Sequence, residues 1–122
     1  MRAGGPALAR FTEWLTNFGD AWEAADGAAL ESLFAVGATL QPTPFGELLR
    51  GRRSIVAYYT ALFETWPGAS FVAQVLGAGD TYGVAHWRVA TGSRALDGVL
   101  VAALDERGRC TALRTWWHEH GE

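Results

Sequence analysis

Lysine is absent from the sequence; all ten basic residues are arginine. This excludes a Schiff-base lysine and the phosphate-binding lysine of a P-loop, and with them two large enzyme classes. Cysteine is almost absent too. The lone Cys110 can form neither an internal disulfide nor a thiolate zinc cage, which fits a reducing compartment. There is no excess of basic charge: the formal net charge is −3 and the pI near 5.6, so a nucleic-acid partner is not expected. No long apolar run follows a basic start, so neither a signal peptide nor a membrane span is expected, and the cytoplasm is the expected compartment. Internal repeats and low-complexity tracts are also missing. At 122 residues the chain reads as one domain spanning 1–122.

What the sequence does have is apolar mass. Hydrophobic residues make up 49%, with six Trp, six Phe and three Tyr, enough for a real core. From Pro6, the residues Leu8, Phe11, Leu15, Phe18 and Trp22 recur at helical spacing and predict one buried stripe. Asp26 reads as the N-cap of a short second helix carrying Leu30, Leu33 and Phe34 and ending near Gly37. A brief strand, Ala38 to Gln41, and a Pro- and Gly-rich loop, Pro42 to Gly51, follow. Arg52 to Trp66 predicts a third helix with Ile55, Tyr59, Leu62, Phe63 and Trp66 on one face, stopped by Pro67 and Gly68. Beyond Pro67 the pattern changes to strands: Ser70 to Leu76, Tyr82 to Thr91, Leu96 to Leu104 and Cys110 to His118. Short turns between them imply an antiparallel meander, and helices segregated before such a sheet imply an α+β fold.

Three stretches carry a family resemblance. They are Ala38-Thr39-Leu40 leading through Arg50-Gly51-Arg52 to Ile55 and Tyr58-Tyr59; Ala95-Leu96-Asp97; and Leu104 to Arg109 ahead of Trp116-Trp117. From about Leu8 to Glu119 the chain resembles the nuclear transport factor 2-like superfamily, which includes ketosteroid isomerases, SnoaL-like polyketide cyclases and limonene epoxide hydrolases. The resemblance implies a cone-shaped, cystatin-like α+β barrel: a curved, mostly antiparallel sheet wrapped around the N-terminal helices. It also implies positions for the chemistry. Ketosteroid isomerases use a carboxylate base, a tyrosine and a protonated aspartic acid. Here those positions fall on Pro42 (or Thr43), Phe18 and Leu100, while Tyr59 matches a supporting pocket tyrosine. The aspartate used by cyclases and epoxide hydrolases falls on Thr115, which can donate a hydrogen bond but cannot act as a carboxylate.

Strand alternation sorts the remaining polar groups. With Leu113, Thr115 and Trp117 facing inward, Arg114, Trp116 and His118 face outward; with Gly83, Ala85 and Trp87 inward, His86 and Arg88 face outward. Two readings stand for His86, an outer-face histidine or, across a bulge, a pocket acid-base group. Asp97 reads either as a turn or surface residue or as an acid at the pocket mouth. His118 and His120 share a strand face but have no third ligand placed by sequence, so no metal is expected, and no organic cofactor either. Phe18, Trp22, Tyr59, Phe63, Trp66, Trp87, Leu100, Thr115 and Trp117 are the expected walls of a hydrophobic ligand pocket.

Two functions compete. In one, the protein is an isomerase-, cyclase- or dehydratase-like enzyme acting on a polyketide-, steroid- or terpenoid-like molecule through Tyr59, Asp97 and His86. In the other, it is a non-catalytic small-molecule binding or dimerisation domain, since the usual carboxylates are missing. A homodimer through the outer sheet face is expected, built on Val99, Val101, Trp116 and the stems of Arg88 and Arg114.

Overall fold

The first helix forms because its aromatic residues need a common face. In the computed structural model, which describes residues 5–43 and 45–120, α1 runs Gly5–Ala24 and buries Phe11, Trp14, Leu15, Phe18, Ala21 and Trp22. Two residues depart from the expected stripe. Leu8 is 38% exposed, and Trp14, not anticipated, is almost fully buried. The 3.6-residue repeat carries the face from Phe11 through Trp14 to Phe18, whose rings lie stacked at 6.4 and 5.0 Å between successive centroids. Full burial of each such ring is worth roughly 1.5–3 kcal/mol.

Asp26 caps α2 (Gly27–Glu31) as predicted, its Oδ1 accepting from Ala29 N at 3.1 Å. The helix stops earlier than the apolar pattern suggests. The Leu33 carbonyl accepts from Cys110 N at 2.8 Å and from Trp14 Nε1 at 2.9 Å, and Phe34 already opens a strand. That strand, β1 (Phe34–Gln41), is therefore twice the expected length. A two-residue strand, β2 (Leu49–Arg50), pairs antiparallel with it inside the segment expected to be loop. Gly51, at φ 92°, then turns the chain into α3 (Arg52–Thr65), which buries Ile55, Tyr59 and Phe63.

The meander follows as β3 (Ser70–Ala78), β4 (Tyr82–Thr91), β5 (Arg94–Leu104) and β6 (Cys110–His120). The sheet order is β2-β1-β6-β5-β4-β3, and only the β1–β6 pairing among the described residues is parallel. Its concave face presents Ala85, Trp87 and Val89 from β4, Leu96, Leu100 and Ala102 from β5, and Leu113 and Thr115 from β6, all buried. This is the curved α+β sheet that the sequence pattern implied, with the helices against its inner face. The alternation also falls as expected: Gly83, Ala85 and Trp87 are buried, whereas His86, Arg88, Arg114, Trp116 and His118 are exposed.

Small residues let the layers approach. A Cβ added at Gly83 would lie 2.2 Å from the Phe11 ring, and one at Gly98 would lie 1.7 Å from the Trp116 carbonyl oxygen. At Gly98 the obstacle is backbone, so no rotamer change relieves it. Gly98→Ala is expected to lower unfolding stability by about 3 kcal/mol or more by forcing β5 from β6. Gly37→Ala is the control, since a Cβ there meets nothing within 4 Å. Urea denaturation of the two variants checks this; equal midpoints would refute it.

Cys110, fully buried at the start of β6, gives the fold an alkaline limit. Burial pushes its thiol from 9.0 up to about 12, against the lowering effect of backbone hydrogen bonds from Ala112 and Ala103. Between those values the unfolded chain has lost a proton that the folded chain keeps, so stability falls as pH rises. The slope reaches about 1.4 kcal/mol per pH unit. Denaturation midpoints are expected to hold up to pH 9 and fall above it, and Cys110→Ala should flatten the decline between pH 9 and 10.

Candidate functional site

The helices and the sheet leave a small cleft where their aromatic residues meet. Phe18 and Trp22 of α1 form one wall, and Tyr58, Tyr59 and Leu62 of α3 a second. Trp87 of β4, Leu96 and Leu100 of β5, and Thr115 and Trp117 of β6 form the floor. The room left for the centre of a water-sized sphere is about 20 Å3, about one water molecule. Tyr59 is the hub of the walls: its ring meets Phe18 edge-on at 5.4 Å, Tyr58 at 5.2 Å and Trp22 at 6.2 Å.

Seven of the nine residues expected to line a pocket stand on this cleft. The other two are behind it. Phe63 packs against Trp22 at 5.0 Å, and the Trp66 ring lies 4.1 Å beneath the Arg94 guanidinium, which is held by Glu119 at 2.9 Å. Sequence reasoning missed Tyr58, Leu62 and Leu96. Leu96 shares strand parity with Leu100, and Leu62 lies one helical turn from Tyr58 and Tyr59, so the signal for both was present.

Hydrogen bonding decides what the polar lining groups can do. Thr115 Oγ1 donates to the Pro42 carbonyl at 2.7 Å, and Trp117 Nε1 donates to the same oxygen at 3.0 Å. The following loop is tied back as well, because Gln41 Nε2 donates to the carbonyls of Thr43, at 3.1 Å, and Gly46. Phe45 sits in this loop at φ 62°, its side chain fully exposed. The positions that the resemblance assigns to carboxylates and a tyrosine thus hold other groups. Pro42 and Thr115 are bonded to each other, while Leu100, in place of an acid, and Phe18, in place of the tyrosine, add only apolar wall.

Burial raises the Tyr58 phenol above its ordinary 10.0, and raises Tyr59 well above it, with smaller contributions from Tyr58 and Cys110. Both are neutral hydrogen-bond donors at physiological pH. Among the described residues no carboxylate and no imidazole lines the cleft. Asp97 and His86 do not join Tyr59: they belong to the outer sheet face, where His86 is in register with Val99 and Asp97 with Arg88 and His118. The Asp97 carboxylate instead lies 3.1 Å from His120 Nε2, and the His120 ring is 4.5 Å from that of His118. Among the described residues no group of His, Cys, Asp and Glu could hold a metal ion, and no helix is long and apolar enough to cross a membrane.

Known structures share this architecture. An NTF2-like protein of unknown function from Mesorhizobium loti is 26% identical, with a TM-score of 0.73 over 90% of this chain and 92% of that one. A SnoaL-like protein of unknown function from Burkholderia thailandensis is 23% identical, with a TM-score of 0.75 over 90% and 96%. The epoxide hydrolase/cyclase-like enzyme SalBIII, of pyran ring formation in the polyether salinomycin, is 15% identical with a TM-score of 0.79 over all of both chains. At that identity the likeness speaks for the fold alone. No curated protein matches the sequence. The family model of the SnoaL-like domain matches residues 15–116, most of the chain, and the protein therefore belongs to the SnoaL-like family.

Proposed function

We propose that this protein binds a flat, apolar small molecule in the aromatic cleft without acid-base catalysis. The observation that carries the reading is the lining itself, which among the described residues is ten side chains with no carboxylate and no imidazole. Proton abstraction from carbon needs a positioned base of suitable pKa, and a buried neutral tyrosine is a poor one. Thr115 and Trp117, the most polar groups of the floor, already donate to the Pro42 carbonyl. With room for about one water, the cleft must widen to admit a ligand. Trp117, 39% exposed, is the lining ring with most freedom to move, and its indole is anchored through Pro42.

The enzyme reading keeps one support, the Tyr58–Tyr59 pair, which could polarise a carbonyl without a base. A panel of polyketide, steroid and epoxide compounds separates the two. The expected result is saturable quenching of tryptophan fluorescence by at least one compound, with no product formed. Tyr59→Phe and Asp97→Asn should change that affinity by less than about threefold. Turnover that Tyr59→Phe abolishes would restore the enzyme reading.

The outer sheet face supports a second proposal, a homodimer. Trp116 is 38% exposed, with half-buried Val99 opposite it in register and half-buried Val101 two residues along β5, and Val72 of β3 is 62% exposed. Exposed apolar strips of this kind mark contact surfaces. Sedimentation velocity at pH 8 is expected to give a dimer, and Trp116→Glu a monomer. A monomeric wild-type chain would end this proposal.

A further inference from the structure

Strand β3 ends the sheet and pairs only with β4 among the described residues. In an antiparallel pair the backbone groups of alternate residues turn toward the partner strand, and those between them turn away. Phe71 turns away, because its N–H donates to a Glu23 carboxylate oxygen on α1 at 2.8 Å. The alternation turns Ala73 and Val75 the same way, ahead of the register shift that follows Val75. Among the described residues nothing bonds to that side of Ala73 or Val75. Most of β3 is exposed. Open sheet edges of this kind are templates for another strand.

A hollow of about 260 Å3 lies beside the edge. One bank is formed by Phe71, Ala73 and Val75, and the other by α1, whose Thr16, Asp20 and Glu23 follow at helical spacing. Neither Asp20 nor Glu23 has an ionic partner among the described residues. The imbalance extends along the chain: from residue 11 to residue 49 there are Glu13, Asp20, Glu23, Asp26, Glu31 and Glu47 and no arginine. Side chains of an added strand alternate between the two sheet faces, so every second one would lie over the hollow, toward Asp20 and Glu23. A second copy of β3 is a poor occupant, because its own Asp20 and Glu23 would be brought toward the first pair.

We propose that the β3 edge is a docking site for an extended segment of another protein, which adds as a strand at Ala73 and Val75 and carries lysine or arginine at every second position, facing Asp20 and Glu23. In such an arrangement main-chain hydrogen bonds supply affinity and the alternate side chains supply selectivity. The site lies apart from the aromatic cleft and does not depend on what the cleft binds.

The test uses the full chain and an acetylated, amidated heptapeptide that alternates lysine with threonine. Two controls accompany it: the same peptide with glutamate for lysine, and the lysine peptide N-methylated at every amide, which keeps the charge and removes the backbone donors. Calorimetry at low salt is expected to show the lysine peptide binding about tenfold more tightly than either control. In nitrogen-15 spectra the amide resonances of Ala73 and Val75 should move on binding, and their hydrogen exchange should slow about tenfold. Asp20→Asn combined with Glu23→Gln should weaken the lysine peptide about tenfold, the loss expected of two ion pairs. Both positions are exposed, and a glutamine oxygen can still accept from Phe71 N, so the fold is preserved. Equal binding of the methylated peptide overturns strand addition, and unchanged affinity in the double variant overturns the role of the acids. Resonance shifts that miss Ala73 and Val75, or no binding of the lysine peptide, overturn the site. Protection of both amides in the free chain that grows with its concentration places a second copy on the edge and overturns the foreign partner.

Discussion

Phe11 lies against Gly83 with no room for a methyl group between them, and Phe71 closes over Gly19 in the same way. The concave side of the sheet depends on this exchange of volume. Helix α1 supplies four large rings, and the strands beneath carry small residues at Gly83, Ala85 and Ala102 on the face that receives them. Interiors pack to near-crystalline density, so the balance between ring volume and deleted side chains fixes how much space remains. Here the rings nearly win, and about one water's worth of room is left. A ligand larger than a water molecule would have to displace protein atoms.

The polar part of the floor is held by hydrogen bonds. Pro42 cannot donate from its backbone, but its carbonyl can accept twice, and Thr115 and Trp117 both use it. Two bonds to one oxygen couple the position of the 42–48 loop to the last strand. The same loop holds Phe45 in a left-handed conformation that a side chain adopts only at some cost. Where the resemblance places two of the carboxylates, this chain has a hydrogen bond, from the Thr115 hydroxyl to the Pro42 carbonyl.

Much of the architecture was readable before any coordinates, because local periodicity carries it. The Phe11–Phe18–Trp22 stripe, the Asp26 cap, the break at Pro67 and the four-strand meander all arise from residues close in sequence. The departures come from long-range contacts. The Leu33 carbonyl ends α2 through bonds to Trp14 and Cys110, and no local pattern announces a partner 77 positions away. The parallel β1–β6 pairing is hidden for the same reason. In the cleft, most wall residues were legible from stripe and parity, whereas the bond between Thr115 and Pro42 spans 73 positions and was not.

Asp97 and His86 show what parity means for chemistry. Along β5, Asp97 keeps step with Val99 and Val101 and so points away from Leu96, Leu100 and the cleft; along β4, His86 is out of step with Ala85 and Trp87. On β4 and β5 the sheet thus keeps His86 and Asp97 off the face that floors the cleft. Carboxylate and imidazole stand together on the outer face, in the Asp97–His120–His118 cluster, where water screens them. The cleft is lined instead by the indoles of Trp22, Trp87 and Trp117 and the α3 phenols Tyr58 and Tyr59, and low dielectric there strengthens any hydrogen bond they donate. A wall made of neutral donors can hold an oxygen and draw charge toward it, but it cannot take a proton from carbon. Moving a single acid across the sheet would require a one-residue slip of the strand, which would expose the core face at the same time. The separation of acid-base groups from the cleft is therefore enforced by the same alternation that keeps the protein folded.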